Sequence, residues 1–202
     1  MLATPLQTNS ARILAISGSG RKGSFNTALL KAAMGLLPEG VSMEIHDVSR
    51  FPLYDPDAES QMPPMVKRFK EKVRAADAIV FATPEYNHSI SAVLKNAIEW
   101  GNRPWGDNSW KGKPAAIVSA STSLTGGARA QEHLRQIMVD LDMHPLNHPQ
   151  VLVAKAHEKF SQGLILQDET TKELVKALLA QLLERTRIAE VAGSVQTTPV
   201  SA

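Results

Sequence analysis

One stretch near the amino end, Ser17-Gly18-Ser19-Gly20-Arg21-Lys22-Gly23-Ser24-Phe25-Asn26, gathers glycines, hydroxyls, an amide and two cations into a single short run. Glycines let a backbone turn and approach a ligand closely. Ser19, Arg21, Ser24 and Asn26 add directed hydrogen bonds of the kind a phosphate accepts. The chemistry these residues suit is anion binding. Two ligand readings compete. In one the loop is a mononucleotide phosphate pocket. In the other, Gly18-Ser-Gly20-Arg-Lys-Gly23 is the dinucleotide fingerprint G-x-G-x-x-G, with Asp47 near the end of the following strand as the ribose acid. A glycine-rich turn without a ligand is the third possibility.

The flanking elements decide what such a loop can do. Arg12-Ile13-Leu14-Ala15-Ile16 is a short apolar run with β-branched residues, which predicts a buried strand. After the loop, Ala28, Leu29, Leu30, Ala32, Ala33, Leu36 and Leu37 recur at helical spacing, with Ser24 or Asn26 placed to cap the first turn. The loop therefore ends where unpaired amides and the positive end of a helix dipole meet.

Further along, residues 41–48 alternate apolar and polar, as a half-buried edge strand does. Residues 49–64 hold Pro52, Pro56, Pro63 and Pro64 and should form no regular element. A loop that long usually covers a site or an interface. Residues 65–76 read as a helix with Val66, Phe69 and Val73 inward. Residues 77–82 read as a buried parallel strand ending in the loop Thr83 to Ser89. Ser91 can cap a helix whose stripe is Val93, Leu94, Ala97, Ile98 and Trp100, with Lys95, Asn96 and Glu99 off it and Gly101 at its end. A connector bearing Trp105 and Trp110 leads to a strand at 115–120 and a third loop, Ser121 to Gly127. A helix over 128–141, a strand over 151–154 and an amphipathic helix over 171–191 complete the pattern. The expected domain is 11–191, between flexible tails at 1–10 and 192–202.

Composition narrows the function. The chain has 202 residues, 43% hydrophobic and 21% charged, as in a soluble globular enzyme, and its net charge of +2 with no run of like charge favours neither nucleic acid nor a membrane surface. With no cysteine, thiolate catalysis, disulfides, iron–sulfur clusters and cysteine zinc sites are all ruled out. Redox chemistry would need a borrowed cofactor. The six histidines show no compact ligand spacing, so no metal site is expected, and no stretch approaches the length of a spanning helix. A cytoplasmic protein is expected.

Five strands alternating with helices predict an α/β, single-domain, doubly wound parallel sheet in the flavodoxin-like order 2-1-3-4-5, with helices on both faces. Ligands in such sheets sit at the carboxyl ends of the strands, so the three loops should share one crevice. No segment is left over for a substrate domain, which counts against a nicotinamide-dependent Rossmann dehydrogenase. A flavodoxin-like electron carrier tends to be strongly acidic, and this chain is not.

Several motifs then occur in order: Gly18-Ser19-x-Arg21-x-x-Ser24-x-Asn26, Pro84-Glu85-Tyr86-Asn87, Leu94-Lys95-Asn96-Ala97-Ile98-Glu99-Trp100, Gly112-Lys113-Pro114 and Gly126-Gly127-Ala128-Arg129. Together they resemble the NADPH-dependent FMN reductase family, its quinone and chromate reductase members most of all. The resemblance implies an FMN cofactor, NADPH or NADH as donor, and small-molecule acceptors such as quinones or chromate served in a ping-pong cycle. By the same resemblance Ser19, Arg21, Ser24, Phe25 and Asn26 would hold the FMN phosphate and ribityl chain. Pro84, Glu85, Tyr86, Asn87, His88 and Ser121 would border the ring, and no side chain is needed as a catalytic nucleophile. It further implies a homodimer or homotetramer, with Trp105, Trp110 and the helix from Ala128 at subunit contacts. Gly20, His88 and Ser123 depart from the pattern of the most similar members, and His88 is placed to meet an anionic acceptor when protonated.

Overall fold

The computed structural model describes residues 10–196. Of the expected tails, 1–10 and 192–202, the parts at 1–9 and 197–202 lie outside the described residues.

β1 (Ala11–Ser17), β2 (Val41–Asp47), β3 (Ala78–Ala82) and β4 (Pro114–Ala120) pair in parallel in the order β2-β1-β3-β4. The expected order therefore holds, with β2 at the edge. The fifth position differs in detail. It is shared by β5 (His144–Pro145), beside Pro114 and Ala115, and β6 (Val151–Val153), beside Val118 to Ala120. Pro145 and Pro149 interrupt what would be one strand, because neither ring nitrogen can donate to the ladder.

Strand residues alternate between two apolar layers. Ile13 and Ala15 of β1 face α1 (Phe25–Met34) and α6 (Glu169–Gln196), with Leu29, Leu30, Val175, Leu178 and Leu182 in that layer. Leu14 and Ile16 face the other layer, built from Phe69 and Val73 of α2 (Pro64–Ala75), Leu94 and Ile98 of α3 (Ala92–Gly101), and Leu134 and Met138 of α4 (Ala128–Asp140). Burial on both faces is why β1, β3 and β4 read as nearly continuous apolar runs.

Four local expectations need correction. The proline-rich segment contains two turns of 3-10 helix, Pro56–Gln61, with Asp55 as its cap. A short helix α5 (Ala156–Lys159) follows β6 where none was expected. α6 continues to Gln196, so 192–196 is helix and not tail. Asn96 is buried on α3, not turned away from the packed side. Among the described residues no helix is long and apolar enough to cross a membrane, and no three His, Asp or Glu side chains gather as a metal set.

Candidate functional site

The loops after β1, β3 and β4 meet over the carboxyl edge of the sheet and enclose a cavity of about 180 Å³. Ser19, Arg21, Ser24, Phe25, Asn26, Pro84, Glu85, Tyr86 and Ser121 all line it, joined by Ala120 and Thr122. Asn87 and His88 do not. They form the exposed tip of the second loop.

In the first loop Ser24 is the helix cap. Its extended backbone starts α1 and its hydroxyl accepts from the Thr27 amide at 3.2 Å. Among the described residues the amides of Phe25 and Asn26 have no acceptor in the chain, which leaves the first turn of α1 ready for an anion. Ser19 is buried and its hydroxyl lies 3.4 Å from the Arg21 amide. The Arg21 guanidinium is exposed and has no ionic partner among the described residues.

Asn26, offered by sequence as a second cap, does something else. Its amide nitrogen donates to the Ala120 carbonyl at 2.9 Å, and its oxygen accepts from the Ala120 amide at 2.9 Å. The side chain thus continues the β4 ladder and ties the first loop to the third.

Glu85 has a comparable internal role. Its carboxylate accepts from the Arg129 amide at 3.0 Å and the Ala130 amide at 3.4 Å, and pairs with the Arg129 guanidinium at 3.1 Å. It caps α4, whose own cap residue, Gly127, has no side chain to offer. Gly127 must be glycine: φ is +91° and an added Cβ would lie 2.7 Å from Ser119 Oγ. Arg129 therefore pairs within the chain.

Tyr86 and Ser89 exchange both backbone hydrogen bonds at 3.0 Å, with Asn87 and His88 between them at φ of +50° and +62°. This is a two-residue turn with both central residues left-handed, which asparagine tolerates and histidine adopts at a cost. The tip is held from the side by His133 of α4, whose Nδ1 lies 3.0 Å from Ser89 Oγ. Tyr86 is 54% exposed and lines the cavity, so it stands at the mouth and not in the core.

Other motif residues turn out to serve the scaffold. Asn96 accepts from the Tyr54 amide at 2.7 Å and donates to the Pro52 carbonyl at 2.9 Å, where Trp100 Nε1 also donates at 2.9 Å. Together they pin the proline-rich loop. Lys113 donates to the Arg74 and Ala76 carbonyls at 2.7 and 2.6 Å and closes the end of α2. Burial pulls the Lys113 ammonium below its usual range, while Asp77 acts to raise it.

Trp110 overturns an expectation. It is fully buried against Phe69 and Phe81, with Nε1 donating to Ile98 O, so it is no subunit contact. An added Cβ on Gly101 would lie 2.4 Å from its ring, which explains the glycine inside α3. Trp105, by contrast, is 89% exposed. Sequence reasoning also passed over Lys70, which is 2% exposed and donates to the carbonyls of Arg103 and Asp107. The signal was there: position 70 completes the stripe 66, 69, 70 and 73.

Known proteins share both sequence and architecture with the chain. Residues 11–158 match the family model described as NADPH-dependent FMN reductase. An NAD(P)H-dependent FMN reductase of Pseudomonas aeruginosa is 50% identical over 177 residues, covering 87% of this chain and 95% of that protein. An NADPH:quinone oxidoreductase of Arabidopsis thaliana is 46% identical, covering 85% and 89%. Among solved structures, the flavoenzyme NAD(P)H:(acceptor) oxidoreductase FerB from Paracoccus denitrificans superimposes with a TM-score of 0.81 at 29% identity, covering 89% of this chain and 98% of that one.

Proposed function

The chain belongs to the NADPH-dependent FMN reductase family and is an FMN-dependent NAD(P)H oxidoreductase, and from that premise we propose that the three-loop cavity is its flavin site and that quinones are its acceptors. The observation that carries the site is the convergence of Ser19, Arg21, Ser24, Tyr86 and Ser121 on one cavity from three separate loops.

The donor set fits the group. The free amides of Phe25 and Asn26, the Ser19 and Ser24 hydroxyls and the Arg21 guanidinium all suit a phosphate. Ser121 and the backbone of Glu85 to Asn87 are placed for the polar edge of the ring, and Pro84 and Tyr86 give it apolar surface. FMN held here would supply the hydride and electron transfer between a reduced nicotinamide and the acceptor. The protein contributes position. Glu85 holds the second loop against α4, Asn26 holds the first loop against β4, and Gly127 keeps the third loop close to the strand.

The cavity mouth under the exposed Tyr86 offers donor and acceptor one place to dock, so the two use it in turn and the cycle is ping-pong. No side chain is required as nucleophile or base. His88, at the strained tip, would favour anionic acceptors such as chromate when protonated. Trp105, 89% exposed, and Val139 of α4, 80% exposed, are apolar surface that a homodimer or homotetramer would cover. The use of reduced nicotinamide supports a cytoplasmic location.

The test is a titration of flavin-stripped protein with FMN, followed by anaerobic NADPH. Tight binding with rapid bleaching of the yellow colour is expected, as are parallel lines when NADPH is varied at several quinone concentrations. Binding without bleaching would make the protein an electron carrier. Nucleotide binding without FMN binding would restore the dinucleotide reading.

A further inference from the structure

A second and larger cavity, about 480 Å³, begins where the flavin site ends. Ser24 lines both, and Lys22 follows Arg21 directly. The groove runs between α1 and the segment that leads from α5 to α6. Its size falls in the ~300–1,000 Å³ range of small-molecule sites.

Two kinds of surface face each other across it. Lys22, Lys31 and Lys172 supply three ammonium groups. Lys22 and Lys31 have no ionic partner among the described residues, while Lys172 shares Glu169 at 2.7 Å. Leu36, Leu164 and Ile165 supply the apolar wall. Ile165 is 68% exposed, so this wall of the groove is open to a ligand from solvent. Leu164 sits at φ +59°, a conformation that a leucine adopts only when its surroundings impose it. The loop is locked there by Ser161, which exchanges backbone hydrogen bonds with Leu164 and Ile165 at 2.9 Å.

An anion joined to a flat apolar body complements this groove, and Ser24, which lines both cavities, sets the groove beside the phosphate end of the flavin site. We propose that the groove takes the adenylate half of FAD, so that the protein accepts FAD as well as FMN. The second phosphate leaves the flavin site past Ser24 and meets Lys22 and Lys31. The adenine lies against Leu36, Leu164 and Ile165. This inference rests on the three-loop cavity being the flavin site.

The experiment titrates flavin-stripped protein separately with FMN and FAD, by quenching of flavin fluorescence, in the wild type and in Lys31→Glu and Gly163→Phe. Gly163 lines the groove, and an added Cβ there meets nothing nearer than Ser161 Oγ at 3.7 Å, so a side chain can be added without displacing the core. The two flavins are expected to bind within about tenfold of each other. Each substitution should weaken FAD by about tenfold or more and leave FMN unchanged, which also shows that the variants fold. FMN binding with FAD weaker by more than about 100-fold, or FAD affinity indifferent to both substitutions, overturns the groove assignment alone. Failure of both flavins to bind removes the flavin site itself.

Discussion

The rim loops and the proline and tryptophan connectors on the far side of α3 look alike in sequence, since both are long, irregular and rich in polar and aromatic residues. They use those residues in opposite ways. In the connectors the polar groups are spent on the chain itself: Asn96 and Trp100 on Pro52, Tyr54 on Glu59 at 2.5 Å, and Lys70 on Arg103 and Asp107. On the rim, Asn26 and Glu85 are spent in the same way, but Arg21, Tyr86 and the first amides of α1 are left facing a cavity. Unspent hydrogen-bonding groups converging on a concavity distinguish a site from a brace, and composition does not.

The comparison breaks if stability and flavin binding do not separate by region. The largest effect should come from Trp110→Ala, which empties a fully buried site and should lower the unfolding free energy by about 3–5 kcal/mol in urea, with the affinity of whatever folded protein remains unchanged. Arg21→Ala should leave the urea midpoint in place and weaken FMN by about 1.5–3 kcal/mol, with little effect on riboflavin, which lacks the phosphate. Equal loss of both ligands would remove Arg21 from the phosphate.

Glu85→Ala sharpens the contrast because Glu85 belongs to both kinds of region. Loss of the α4 cap should cost about 1–2 kcal/mol of stability and also weaken FMN by loosening the second loop. Stability loss without any change in FMN would make it a brace only.

The smallest effect is a pH dependence in the connector. Burial acts to raise the Asp107 carboxyl, but hydrogen bonds from Arg74 and Lys70 outweigh it and hold the group below its usual value. A lowered carboxylate stabilises the fold above its unfolded pKa and loses that contribution as pH falls through the folded pKa. Asp107→Asn should therefore flatten the acid end of the stability profile by under about 1 kcal/mol, since the group is partly exposed. Lys70 works in the other direction. Burial lowers its ammonium pKa, so the penalty of burying it charged is relieved as pH rises from the lowered value toward 10.5, and Lys70→Met should remove that alkaline gain.

Much of this was legible because it is local. Turn chemistry, a cap residue and a change of hydrophobic period need only neighbours a few positions away, so β1, the phosphate loop and α1 could be read together, and the alternation of five strands with helices, at a length suited to a flavodoxin-like sheet, pointed to the strand order. The fifth strand was half legible, since residues 151–154 read as a strand, while the short piece His144–Pro145 that shares its place beside β4 was not expected. Lys70 was missed because a charge on an apolar stripe is normally counted as outside, although a buried acceptor can draw it in.

By itself, then, the sequence determined the layered sheet and the place where an anion would sit, because backbone geometry and helix ends follow from short-range rules. Only the tertiary structure decided which polar side chains are free. Asn26 meets Ala120 across 94 positions, Glu85 meets Arg129 across 44 and Asn96 meets Pro52 across 44, and no periodicity records such pairings. A side chain's chemistry is fixed by its type, but whether it is available to a ligand depends on the hydrogen bonds the fold has already taken from it.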